Sequence, residues 1–136
     1  MKTQGWQHRL TAYLSSVAAL PFEAGKLDCA LFTAGAVAAM TGVDHARGWR
    51  GKYRSLAKGR KVLEKAGFAD HVALAASLYP EVAPIMAQEG DIAVVPAEDG
   101  EIGFALGIVQ GPMIYVMGHT GLTLVPLTSA TRAFRV

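Results

Sequence analysis

An α+β domain is predicted by three features: helical spacing of apolar residues through the first half, strand-like runs through the second, and one segment apolar on nearly every side. The segregation of the two patterns argues against alternating α/β units. A length of 136 residues suits one domain over 1–136, with a helical half at 1–80 and a β-meander half at 91–136. Apolar residues make up 51% and charged residues 18%, and no run approaches the roughly 20 apolar residues that span a bilayer. A soluble protein is expected.

The first helix is read from Trp6, Leu10, Tyr13, Leu14 and Val17, spaced by three and four, with Gln7, Arg9, Thr11, Ser15 and Ser16 opposite. Its basic start and apolar continuation imitate a secretory signal, but the amphipathic spacing assigns it to the folded domain, with no signal peptide. Pro21 ends it. Leu27 to Met40 follows as a central helix: Asp28 is an N-cap residue, the run from Cys29 lacks a polar face, and Gly42 closes it. Such a helix belongs in the middle of a domain. Ser55 caps a third helix that Gly67 ends, and His71 to Leu78 forms a fourth, stopped before Pro80.

From Asp91 the pattern changes to short apolar runs: Ile92–Val95, Phe104–Val109, Met113–Met117 and Leu122–Leu127, separated by Gly, Pro and acidic turns. These read as antiparallel strands, with a last short strand around Ala133 to Val136.

The single cysteine excludes an internal disulfide, so folding in a reducing compartment is expected. Cys29 is either core packing or chemistry. The positive end of a helix dipole and the unpaired amides of a first turn favour a thiolate, whereas the Asp28 carboxylate opposes one unless it is turned onto those amides. A buried cysteine also serves as a small apolar side chain. His8, His45 and His71 have no metal-ligand spacing with each other or with Cys29, so no metal or cofactor is expected.

The net charge of +2 is unevenly spread. Between Arg47 and Lys65 eight basic residues face Glu64 alone, a local charge of +7 against −5 elsewhere. Arg47, Arg50, Lys52, Arg54, Lys58, Arg60 and Lys61 are thus candidates for an anion-binding patch, with Trp49 and Tyr53 as stacking groups; a solvated helical face is the plainer reading.

Leu27-Asp28-Cys29-Ala30-Leu31-Phe32, then Glu89-Gly90-Asp91-Ile92-Ala93-Val94-Val95, then Ala105-Leu106-Gly107-Ile108-Val109-Gln110-Gly111 resembles the skeleton of the NlpC-type cell-wall cysteine peptidases, which have a papain-like fold. Gly48-Trp49-Arg50-Gly51-Lys52-Tyr53 is similar to a basic stretch in small NlpC-like phage and prophage tail proteins. The resemblance implies that Cys29 takes the nucleophile's position. It also implies that Ala105 stands where the family has its histidine base and Met117 near its third, polar member; neither side chain takes or orients a proton. His119, two residues beyond Met117, is the nearby substitute if the strand continues, about 6.5 to 7 Å further along, although Gly118 and Gly121 suggest a turn.

Three functions follow. The first is a non-catalytic NlpC-like component of a phage or prophage tail, made in the host cytoplasm, assembled into a virion and binding tail proteins. The second is an active thiol peptidase acting on peptidoglycan peptides through Cys29, Asp28 and an unconventional base such as His119. The third and weakest is an anion or nucleic-acid binding module using residues 47–65. Ala105 and Met117 are expected on adjacent strands, both facing Cys29.

Overall fold

A computed structural model describes residues 1–97 and 103–136. Among the described residues four helices come first: α1 (Trp6–Val17), α2 (Cys29–Thr41), α3 (Leu56–Lys65) and α4 (His71–Leu78). Six strands follow, β1 (Glu81–Val82), β2 (Ile92–Pro96), β3 (Phe104–Val109), β4 (Met113–Gly118), β5 (Gly121–Pro126) and β6 (Arg132–Phe134). The helical and strand halves thus fall as the periodicity predicts, while β1 and two single helical turns, Pro84–Met86 and Leu127–Ser129, carry too little pattern to be read from sequence. The acidic turn expected between β2 and β3 lies outside the described residues.

The strands form one antiparallel sheet in the order β1-β6-β2-β3-β4-β5. Consecutive strands pair from β2 through β5, and the chain then returns across the sheet so that β6 pairs with the free side of β2, Ala93 opposite Ala133. Strand β2 is therefore central. Its residues Ile92, Ala93, Val94 and Val95 are all buried, so both faces of the strand are covered.

Alternation divides the sheet into two apolar faces. Ile92, Val94, Leu106, Ile108, Met117 and Phe134 pack with Leu10, Phe32, Val37 and Val72 of the helices. Ala93, Val95, Ala105, Val109, Ile114 and Val116 form the opposite cluster, on which Cys29, Val125 and Leu127 lie.

Helix α2 crosses the first face. Phe32, Ala36 and Met40 have no exposed surface, and full burial of a Phe or Met side chain contributes roughly 1.5–3 kcal/mol. Gly35 lets α1 approach: a Cβ there would overlap the Tyr13 hydroxyl, which donates to the Phe32 carbonyl at 2.8 Å.

Asp91, fully buried just before β2, ties both chain ends to the sheet. It accepts from Arg135 Nε (2.9 Å), the Gln88 amide (2.8 Å) and the Val136 amide (3.2 Å), with Lys2 Nζ at 3.7 Å.

Candidate functional site

The loop before α2 is shaped by a close backbone crossing. Gly25 has φ +83°, and a Cβ on it would overlap the Tyr53 carbonyl oxygen, so that position requires glycine. The crossing brings Tyr53 to the helix terminus. Asp28, only 1% exposed, accepts from the Leu31 amide (2.9 Å) through Oδ1, and from the Gly25 amide (3.1 Å) and the Tyr53 hydroxyl (2.5 Å) through Oδ2. The carboxylate is thus turned onto the amides, the orientation that spares a neighbouring thiol most of its repulsion. Burial, reinforced by the Asp28 charge, pushes the Tyr53 hydroxyl far above its ordinary pKa of 10.0, so it remains a donor.

Cys29 is the first residue of α2 and half-buried. It borders a cavity of about 480 Å³, within the range of ligand pockets. Asp28, Ala105, Met117 and His119 border the same cavity.

The two strand positions differ in how they meet Cys29, contrary to the expectation that both would face it. Ala105 packs in the cluster that Cys29 touches, whereas Met117, wholly buried, belongs to the helix-facing cluster. The register explains this. Ile108 opposes Tyr115, which puts Met117 on the face of Ile108 and Leu106, and Ala105 on the other.

His119 lies in a two-residue turn, since Gly118 pairs with Gly121 and β4 ends there; the alternative in which the strand runs on through His119 does not hold. The imidazole is exposed, with its ring 4.5 Å from that of Phe22.

Two other histidines, which metal-ligand spacing does not single out, line the cavity. His71 is buried and bonds through Nε2 to the Phe104 carbonyl at 3.0 Å; a carbonyl only accepts, so Nε2 carries the proton. Burial holds its pKa below 6.5. His45 Nε2 meets the Tyr79 hydroxyl at 2.9 Å. His8 is exposed on α1, outside the cavity. Among the described residues no group of three or more His, Cys, Asp or Glu side chains forms a metal cluster.

The basic side chains Arg47, Arg50, Lys52, Arg54, Lys58, Arg60 and Lys61 are exposed. Arg50 pairs with Asp44 at 2.6 Å, which holds that carboxyl below its ordinary range. Trp49 and Tyr53 are half-buried and line the cavity, so they are not stacking groups on an open face. Nothing in the local sequence marks Tyr53 as the partner of Asp28, because 25 residues separate them.

A buried helix laid across an antiparallel sheet is an α+β arrangement of the papain-like kind. The chain is similar to the crystal structure of the NlpC/p60 domain of peptidoglycan hydrolase SagA, with a TM-score of 0.57 over 95% of this chain and 97% of that one. Identity is 15%, so the likeness concerns the fold. The chain belongs to the DUF6950 family, described as a domain of unknown function, whose model matches residues 1–136. No curated protein matches it.

Proposed function

We propose that this chain is a non-catalytic NlpC-like domain that binds proteins as a component of a phage or prophage tail. One observation carries the non-catalytic part. On the strand wall next to Cys29, the position that resembles the family's base is the methyl group of Ala105, 8% exposed and packed among Val95, Val109 and Val116. A general base contributes about 10² to 10⁴ in rate, and a methyl group contributes none of it. The tail assignment rests on the likeness of Gly48 to Tyr53 to small phage tail proteins.

A second reading, a thiol peptidase acting on peptidoglycan peptides, is favoured by His119 bordering the same cavity as Cys29. In that reading the imidazole takes the thiol proton, the thiolate attacks the peptide carbonyl, the C–N bond breaks as the proton leaves with the amine, and water then hydrolyses the Cys29 thioester to the acid and the free thiol.

Purified protein incubated with cell-wall peptides separates the two. No cleavage is expected, and Cys29→Ala should leave incorporation into purified virions unchanged. Turnover lost in both Cys29→Ala and His119→Ala would establish the peptidase instead. Absence of the chain from virions would remove the tail assignment.

A further inference from the structure

The cavity and the basic segment meet at α3. Leu56, Gly59, Arg60 and Leu63 of that helix all border the cavity. Leu74 and Phe104 add further apolar lining.

Both carboxylates among the described lining residues are already engaged. Asp28 accepts from two amides and the Tyr53 hydroxyl, and Asp70 caps α4 by accepting from the Ala73 amide at 2.8 Å. Arg60 is placed differently. Its pair with Glu64 spans 3.6 Å between side chains that are 45% and 53% exposed, a contact that water and salt readily weaken. A ligand entering along α3 therefore meets apolar surface and, in Arg60, a cation that can change partner.

We infer that the cavity binds an amphipathic monoanion, such as an alkyl carboxylate, with its apolar body against Leu63, Leu74 and Phe104 and its charged head at Arg60. The volume suits a small organic ligand, and the apolar wall favours a chain over a peptide with several charges, each of which would lose its hydration there. This binding requires no turnover at Cys29, so it stands apart from the function proposed above.

Isothermal titration with decanoate, decanol and decylammonium tests it on the intact chain. Decanoate should saturate one site below its micelle concentration, with decanol about tenfold weaker, the factor expected for a modest charge-assisted contact. Decylammonium should bind more weakly still. Arg60→Glu should reduce decanoate affinity at least tenfold while lowering the thermal midpoint only slightly, the effect of one like-charge pair with Glu64 on an exposed helix face. Leu63→Trp, which fills the cavity, should weaken all three ligands. Equal affinity for decylammonium, or indifference to Arg60→Glu, would overturn the assignment. Vesicles containing phosphatidylglycerol distinguish the remaining source of an anionic chain: binding to vesicles with none to monomeric decanoate would replace the cavity by a membrane-surface contact.

Discussion

Asp28 and Asp91 are both buried carboxylates next to a core element, yet their surroundings differ in kind. Asp91 is met by two cations, Lys2 and Arg135, as well as by amides of Gln88 and Val136. Asp28 is met by neutral donors, the amides of Gly25 and Leu31 and the hydroxyl of Tyr53. The first arrangement joins the chain ends to the sheet. The second holds a helix terminus and a cavity wall in place beside Cys29 through dipoles. A buried charge answered by charge acts as a clamp, whereas one answered by dipoles orients its neighbours.

The largest effect is expected at the clamp. Asp91→Ala takes the acceptor from Lys2, Arg135 and the Gln88 and Val136 amides; because the Arg135 side chain is 34% exposed and can turn to water, the cost is about 3 kcal/mol, the low end for a broken buried pair. Urea unfolding measures it. A loss under about 1 kcal/mol, no more than an exposed pair contributes, would mean that the termini contribute little to holding the sheet.

Tyr53→Phe should cost less, about 1.5–3 kcal/mol, the range for a hydrogen bond to a charged group. The comparison sharpens if this variant also changes the rate at which Cys29 reacts with a maleimide while Asp91→Asn, measured in conditions where it is folded, does not. Equal effects of the two on Cys29 would erase the distinction between clamp and orienting group.

The cavity region should respond to acid through His71. Its folded pKa lies below the ordinary 6.5 because burial disfavours the imidazolium, so the unfolded chain takes up the proton first. Stability is therefore fully present above pH 6.5 and falls as the pH drops toward the folded value. His71→Gln should flatten that part of the stability–pH curve. An unchanged curve would show that another group governs it.

The smallest effect is expected on the surface. Arg50→Ala removes the pair with Asp44, and exposed pairs contribute about 0.2–1 kcal/mol, less at high salt. A larger loss would show that Arg50 supports the cavity rim as well as its own turn.

Much of the fold is legible in the sequence because it is local. The period of Trp6, Leu10, Tyr13 and Val17 places α1, and Asp28, Ser55 and Asp70 cap α2, α3 and α4 through side chains that accept amides three residues ahead. Residue type alone marks Asp28 and Ser55 as caps, and Asp70 carries the same signal just before His71. Apolar runs broken by turn residues mark the strands without reference to any distant partner.

What the chain's order alone leaves open depends on contacts between residues far apart. The resemblance puts Ala105 and Met117 together facing Cys29, but the β3–β4 register sets the parity that separates them. His71 and Tyr53 enter the cavity wall only because α4 and the loop before α3 fold against β3 and α2. Sequence determined the helices, the strands and Cys29 at a helix terminus, since periodicity and caps act within a few residues. Tertiary structure decided which groups share the cavity and which buried charge has a cation, because register, burial and charge pairing depend on distances that no local pattern encodes.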